Sequence, residues 1–326
     1  MNTQPVRRRV WLACAGAVLA CLGAPAAWSQ TYPAQPIRLI VPFAPGGAVD
    51  QTARIIGATL GEKLGQSIVI ENKPGASGSL GAGDLHRSRP DGYTLMLALD
   101  SQAVNHHTVK NLPFDTFKDF DYLSLLVTTP QVLVTRNELP VKSFDELVAY
   151  LKAHPKSSYG SAGTASAGHV NSAQLSLAKG LKTEHVPYKG AAPLLTDLLG
   201  GHIDYAFAGL SVMLPQIKAG KLRALAVSSP RRSALLPDVP AMNELVPGFE
   251  FPTWIGLVAP PGLPPQVRSR ILKATQETMH DPLVEKKFAE NAFDVVSGTP
   301  EEFSARVRKD SDVMADLVKR KIVTSD

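Results

Sequence analysis

The spacing of apolar residues predicts alternating strands and helices. Ile37–Val41 is an apolar-rich run typical of a buried strand. Downstream, Ala53, Ile56, Leu60 and Leu64 recur at intervals of three and four residues, which places them on one face of a helix. The same pattern predicts strands at residues 68–70, 93–99, 131–135, 158–161, 203–208, 222–227 and 254–259, helices between them, and a last helix beginning near Pro300.

This alternation is typical of an α/β fold with largely parallel sheets. The elements form two groups, and we predict two Rossmann-like lobes with a ligand cleft between them, where binding pockets preferentially form. Periodicity leaves open whether the C-terminal segment returns to the first group. We assign lobe 1 to residues 30–129 plus 252–326, and lobe 2 to residues 130–251.

The first 29 residues have the pattern of an export signal. Arg7–Arg9 are followed by the apolar run Val10–Leu22 and by small residues up to Ser29. We predict that residues 1–29 are cleaved and that the mature protein is periplasmic. Sec export is favoured, and Arg8-Arg9 leaves the twin-arginine route open. Lipoprotein anchoring at Cys21 is disfavoured, because the apolar run continues past it.

Charge and cysteine content narrow the chemistry of the mature chain. Of the formal net charge of +5, three positive charges come from Arg7–Arg9, and the remainder forms no clustered basic stripe. A nucleic-acid partner is therefore not expected. Both cysteines, Cys14 and Cys21, lie in the predicted signal, so we expect no disulfide and no cysteine-bound metal.

Three turns share one pattern, in which a strand leads into a glycine-rich turn that opens a helix. They span residues 42–47, 72–78 and 161–166. The first N–H groups of a helix lack intrahelical partners and carry the positive end of its dipole, so each turn favours a carboxylate or phosphate. One such turn is ordinary in an α/β protein, but three favour a shared anionic ligand.

Asp50 lies in the first turn of the first predicted helix, where its charge would repel an anion placed directly above it. Two roles remain open. Asp50 compensates the helix dipole and pairs with Arg54 four residues on, or it receives an amine or hydroxyl of the ligand.

Enzyme signatures are absent from the sequence, which contains no G-x-S-x-G, no P-loop and no H-E-x-x-H. We therefore expect neither catalysis nor a metal or cofactor. An exported hydrolase using Ser166 and His169 is the alternative from another class, but their spacing is poor evidence for a paired nucleophile and base.

Several segments, in unchanged order from Tyr32 to the C-terminus, resemble the Bug family, the extracytoplasmic solute receptors of tripartite tricarboxylate transporters. The matching segments are Pro42–Arg54, Glu71–Gly78, Asp91–Thr94, Val186–Gly190, Leu222–Val227 and Leu236–Pro240. The resemblance implies a type II periplasmic binding-protein fold. It further implies a monomer that binds a small organic carboxylate and delivers it to integral-membrane permease subunits. A ligand-loaded sensor that docks on a signalling receptor is the alternative.

The resemblance also implies which residues contact the ligand. Loop residues of lobe 1 pin a carboxylate through backbone groups and water, and a helix start of lobe 2 adds contacts. The first set is Phe43, Ala44, Gly46, Gly47, Gly75, Ala76, Ser77 and Gly78; the second is Ser161, Gly163, Thr164, Ser166 and His169, with Asp204 and Gly209 as further candidates.

Two segments depart from the family pattern. At Ala165 the family usually has a glycine, and residues 99–107 differ from the threonine-histidine-asparagine-proline motif that is usual in the family. Family substrates include dicarboxylates, tricarboxylates, acidic amino acids and aromatic acids, and the sequence does not select among them.

Overall fold

The computed structural model describes residues 32–164, 166–229, 231–249 and 253–319. The predicted signal at residues 1–29 and the departure at Ala165 lie outside these ranges. Within them, no helix combines the length and apolar composition needed to cross a bilayer.

The structure contains a strand at each position that the hydrophobic pattern predicts, and further strands besides. In chain order they are β1 (Ile37–Val41), β2 (Ile68–Asn72), β3 (Thr94–Leu99), β4 (Asp121–Thr129), β5 (Gln131–Arg136), β6 (Ser158–Ser161), β7 (Glu184–Pro187), β8 (Tyr205–Gly209), β9 (Leu222–Val227), β10 (Thr253–Ala259) and β11 (Asp294–Val295).

Helices alternate with these strands. They are α1 (Ala48–Leu64), α2 (Ser79–His86), α3 (Ser101–Thr108), α4 (Phe144–Ala153), α5 (Ala167–Lys179), α6 (Ala191–Gly200), α7 (Leu210–Lys218), α8 (Met242–Leu245), α9 (Pro265–Met279), α10 (Pro282–Glu290) and α11 (Pro300–Lys319). The predicted face of α1 is buried, with each of its four apolar residues at most 3% exposed.

The described strands form two sheets, as expected for the α/β class. The first has the order β11-β4-β10-β3-β1-β2 and the second the order β7-β6-β8-β5-β9. In the first sheet β1 is parallel to β2 and β3, and β10 is antiparallel to both of its neighbours β3 and β4. In the second, β6 is parallel to β7 and β8, and β5 is antiparallel to β8 and β9.

β5 and β10, each antiparallel to both of its neighbours, are the strands at which the chain enters a different sheet. It leaves the first sheet at Thr129 and enters the second at Gln131, and after β9 it returns to the first sheet at Thr253. The return of the C-terminal segment, which periodicity left open, is therefore present in the sheet order. The carboxyl ends of the parallel strands, where α/β proteins bind ligands, include Leu99, Ser161 and Gly209.

Hydrophobic periodicity did not predict β4, β11, α3, α8 or α10. β4 pairs with β10 on one side and β11 on the other, and most of its residues are buried. It therefore lacks the polar alternation of a half-buried strand. α3 is short and buries polar residues such as Gln102 and Asn105, so it has no apolar stripe to detect.

Candidate ligand-binding cleft

A cavity lies where helices from both sheets begin. Its empty space is about 500 Å³, part of it open to solvent. The residues that immediately precede five helices, α1, α3, α5, α6 and α7, all line it: Gly47, Asp100, Ser166, Gly190 and Gly209. Because the first N–H groups of each helix have no intrahelical partner, five sets of donors and five positive dipole ends meet at one place.

The described residues that line the cavity, here called the described lining, include no lysine, arginine or histidine. Most of it is glycine or small apolar residues, and the polar side chains are those of Asp100, Gln131, Ser166 and Thr253. An anion held here would be bound by backbone N–H groups and hydroxyls rather than by a cationic side chain.

The first glycine-rich turn brings its backbone to the edge of the cavity. Phe43 and Gly47 line the cavity, and the Phe43 ring packs against Gly78, where an added Cβ would lie 3.2 Å from Cζ. Gly46 has a φ of 82°, in the left-handed region that favours glycine. Ala44 approaches the opposite lobe, since its N lies 3.7 Å from the position of a Cβ built on Gly190.

Asp50 braces this turn. Its carboxylate is 2% exposed and accepts hydrogen bonds from Gly46 N (2.9 Å), Arg54 Nε (2.8 Å) and Asn72 Nδ2 (3.0 Å). Asn72 also donates to the Phe43 carbonyl at 3.1 Å, so one network holds both ends of the turn. Burial by itself would raise the pKa of Asp50, but the hydrogen bonds from Arg54, Gly46 and Asn72 and the charge of Arg54 outweigh it and hold the pKa below its ordinary value.

These contacts favour the dipole and bracing role over ligand contact. We expect Asp50→Asn to lower the free energy of unfolding at pH 7 by about 1.5–3 kcal/mol, the usual cost of losing hydrogen bonds to a charged group. Ligand affinity should stay unchanged. Because the folded pKa is depressed, the carboxylate stabilises the fold above its unfolded pKa of about 3.9, and this contribution is lost as pH falls through the folded pKa.

Urea unfolding of wild type and Asp50→Asn at pH 7 and pH 3 checks this, since the difference should shrink at the lower pH. Tighter binding of simple diacids by the variant would instead mean that Asp50 faces the ligand and repels it.

The second glycine-rich turn contacts the third across the cleft. Gly75, Ala76, Ser77 and Gly78 all have positive φ values, of 139°, 46°, 51° and 91°. Such backbone is costly for alanine and serine, and it persists only where the surroundings enforce it. Here the Ser77 carbonyl accepts from Ser101 Oγ (2.9 Å) and Asn105 Nδ2 (3.1 Å).

This strained turn places Ser77 Oγ within 3.0 Å of the Thr164 carbonyl, to which it donates a hydrogen bond. The bond joins the turn after β2, a strand of the first sheet, to the turn after β6, a strand of the second sheet. Gly163 lies beside it with a φ of 145°, and an added Cβ there would approach Ser77 Oγ to 2.9 Å. Both turns were predicted from sequence, and the structure brings them together.

Ser161 and His169 lie in a buried cluster behind the cavity. Ser161 Oγ donates to the Gly163 carbonyl at 2.8 Å and lies 2.7 Å from His185 Nε2. The ring of His169 stacks on that of His185 with centroids 3.8 Å apart, and neither residue is among the described lining. Burial, with the added effect of His185, lowers the pKa of His169 to about 3.

Ser166 and His169 do not form the nucleophile–base pair that the hydrolase alternative requires. The buried hydroxyl of Ser166 has no hydrogen-bond partner among the described residues, so it is not activated by His169. Within the described ranges there is also no cluster of three or more metal-binding side chains.

Asp204 lies away from the cavity. It precedes β8, at the end of the strand opposite Gly209, and its carboxylate accepts a hydrogen bond from Ser158 N at 2.9 Å. At about 3.3 Å per residue along the strand, Asp204 lies roughly 16 Å from the cavity edge. It anchors the start of β6, and this placement argues against a ligand contact.

Sequence reasoning missed three polar lining residues: Asp100, Gln131 and Thr253. Gln131 and Thr253 begin the two strands that enter the sheets after a crossing, and Gln131 Nε2 donates to Thr253 Oγ1. The available signal was positional, because each is a polar residue at the end of a buried apolar strand. Asp100 lies in the segment that departs from the family pattern.

Two α/β sheets joined by crossing strands, with a cavity formed by helix starts from both, define a solute-binding protein. Residues 52–321 match the family model TctC, described as the tripartite tricarboxylate transporter family receptor. The chain belongs to this family, and the resemblance to Bug proteins is confirmed.

The similar proteins agree with this assignment. BugT of Bordetella pertussis is 36% identical over 296 residues, covering 89% of this chain and 91% of BugT. A solved structure described as a periplasmic transporter is 38% identical with a TM-score of 0.87, covering 90% of this chain and all of that one. The Rpa4515 protein of R. palustris, solved with adipate, is 28% identical with a TM-score of 0.87 and covers the same shares.

Proposed function

We propose that this protein is a periplasmic receptor that closes its two lobes over a small organic carboxylate and delivers it to the permease of a tripartite tricarboxylate transporter. The observation that carries the proposal is the convergence of five helix starts on a cavity whose described lining has no cationic side chain. This arrangement suits a carboxylate, because N–H donors and dipoles compensate its charge without a salt bridge.

Ligand binding and lobe closure are coupled in this proposal. Gly47 and Ala48 lie on the first lobe, whereas Ser166, Gly190 and Gly209 lie on the second, so a molecule in the cavity contacts both. The Ser77–Thr164 hydrogen bond also forms only when the lobes meet. A ligand that completes its contacts only in the closed form shifts the population towards that form.

The related protein solved with adipate supports a carboxylate as the ligand. The permease surface would then distinguish closed, loaded receptor from open, empty receptor. In this mechanism the protein acts as a monomer without catalysis, and its export signal directs it to the periplasm.

A thermal-shift screen tests the binding function. Mature protein is unfolded and refolded to remove endogenous ligand, then heated with a panel of carboxylates, phosphates and amino acids. A ligand at about one hundred times its dissociation constant should add about 2.7 kcal/mol to the free energy of unfolding. Stabilisation by carboxylates and not by phosphates is the expected result. Stabilisation by phosphates alone would refute the carboxylate assignment.

Delivery is tested separately by uptake. Cells lacking the receptor should lose high-affinity uptake of the identified ligand, and receptor expressed from a plasmid should restore it. Normal uptake without the receptor, together with loss of a transcriptional response to the ligand, would assign the protein to signalling instead.

A further inference from the structure

The cavity contains one carboxyl group that the anion-binding arrangement does not explain. Asp100 lines the cavity and is 2% exposed, and neither of its oxygens has a hydrogen-bond partner among the described residues. Burying a carboxyl group without partners is costly, so its presence in the lining calls for a functional explanation.

The groups around Asp100 are almost all uncharged. Ser101 follows it on α3, Ala167 begins α5, and Gln131 and Thr253 begin β5 and β10. The charged group that acts on it is Asp310 of α11, which accepts from Trp254 Nε1 at 2.6 Å and pairs with Arg306 Nε at 2.9 Å. No lysine, arginine or histidine joins Asp100 in the described lining.

This environment disfavours the ionised carboxylate until a partner arrives. Burial raises the pKa of Asp100 to about 7, and the charge of Asp310 adds to the increase. The Thr253 hydroxyl and the N–H groups of Ala167 and Ser101 lie close enough to oppose that increase, although none forms a hydrogen bond with the carboxyl by geometry.

We infer that Asp100 is a specificity-determining residue that binds a protonated amine on the cargo, while the helix starts bind the cargo's carboxylate. The cargo is thus a small amino-carboxylate rather than a simple diacid. The inference rests on the proposed carboxylate-binding function and adds the second group that the cargo must carry.

Charge balance favours this class. A dicarboxylate would place two negative charges beside Asp100 with no cationic side chain in the described lining. An amino-carboxylate supplies its own cation, which pairs with Asp100 in a desolvated site where charged hydrogen bonds are strong. The other orphaned group in the lining, Ser166 Oγ, is free to donate to the cargo's carboxylate.

Proton linkage predicts the direction in which ligand affinity changes with pH. An ammonium group beside Asp100 lowers its pKa, so binding near neutral pH releases protons. Affinity should therefore increase as pH rises from 6 to 8. Had Asp100 instead stayed protonated to donate to a second carboxylate of the cargo, binding would take up protons and weaken over the same range.

The experiment compares matched ligands with and without the amine: valine with 3-methylbutanoate, aspartate with succinate, and glutamate with glutarate. Isothermal titration calorimetry at pH 6, 7 and 8, in buffers of different ionisation enthalpy, gives affinity and proton release together. We expect at least one amine-bearing member to bind about tenfold or more tighter than its deaminated partner, with proton release. Asp100→Asn should abolish that preference.

A second variant guards against misfolding at position 100. Asp310→Asn keeps an acceptor for Trp254 but removes the negative charge that adds to the effect of burial on the pKa of Asp100. It should move the pH dependence of affinity to lower pH and leave the amine preference intact.

The outcomes separate the inference from the function on which it rests. Tighter binding of the deaminated acids, proton uptake, or an amine preference that survives Asp100→Asn would overturn the role of Asp100 and leave carboxylate binding standing. Failure of every carboxylate in the thermal-shift panel to bind would refute the proposed function, and this inference with it.

Discussion

Gly47→Val is expected to abolish ligand binding while the fold stays intact. Gly47 precedes α1 and lines the cavity with Ala48 and Val49. Its backbone, with φ of −79° and ψ of 172°, is extended and acceptable for valine. A Cβ there would lie 3.6 Å from the Ala44 carbonyl, which is ordinary contact. The added methyl groups would occupy the space that an anion needs to reach the helix N–H groups.

We expect at least a hundredfold loss of affinity, equivalent to about 2.7 kcal/mol, with a melting temperature close to that of wild type. Titration calorimetry with the ligand from the screen and thermal melting without it provide the two measurements.

Two controls make the result specific. Ala58→Val places the same branched side chain on an exposed position of α1 and should not affect binding. Lys73→Ala removes a cation that pairs with Glu71 at 3.4 Å, and with Asp84, outside the cavity lining. If backbone groups hold the carboxylate, affinity is unchanged in both controls. Full affinity in Gly47→Val would remove this turn from the binding site.

Gly256→Ala is expected to destabilise the protein by about 3 kcal/mol, at the upper end for overpacking a core. Gly256 lies in β10, between β3 and β4, and an added Cβ would overlap the ring of Phe303 and approach the Ser124 carbonyl to 2.9 Å. Phe303 is fully buried, and edge-on contacts hold it against Trp254 and Tyr122 at centroid distances of 5.2 and 5.1 Å. Neither the ring nor the strand can move easily.

The midpoint of urea unfolding measures this effect. The slope of the free energy of unfolding against urea concentration should be unchanged. Gly57→Ala is the matched control, because Gly57 lies within α1 and its added Cβ would be 3.5 Å from Cδ1 of Ile70 in β2, which is ordinary contact. Alanine is the better helix former there by about 1 kcal/mol, so this variant should be neutral or stabilised. Phe303→Leu should partly rescue Gly256→Ala, since the two changes couple through the same space. Equal stability of Gly256→Ala and wild type would mean that the ring and strand yield more readily than their packing indicates.

The functional consequence of Gly256 is indirect. β10 carries Thr253 to the cavity at the point where the chain returns to the first sheet. Strain in β10 would therefore lower ligand affinity by displacing Thr253 in the cavity lining. Gly256 itself does not line the cavity.

Local patterns in the chain were sufficient for most elements. Strands such as β3 are buried between two neighbours, so they appear as continuous apolar runs. Helices such as α1 bury one face and keep the spacing of three and four residues. The glycine-rich turns were also visible, because the positive φ of Gly46 and Gly78 requires what glycine supplies.

The sequence by itself thus determined the α/β class, the positions of the helix starts other than that of α3, and the preference of the glycine-rich turns for an anion. Only the tertiary structure decided which helix starts share a cavity and that Asp50 braces a turn. It also decided that Asp100 lines the cleft with no hydrogen-bond partner among the described residues. These outcomes depend on contacts between residues far apart in the chain, formed where the chain crosses between sheets at Gln131 and Thr253. A periodic pattern records which face of an element is buried, but not what that face is buried against.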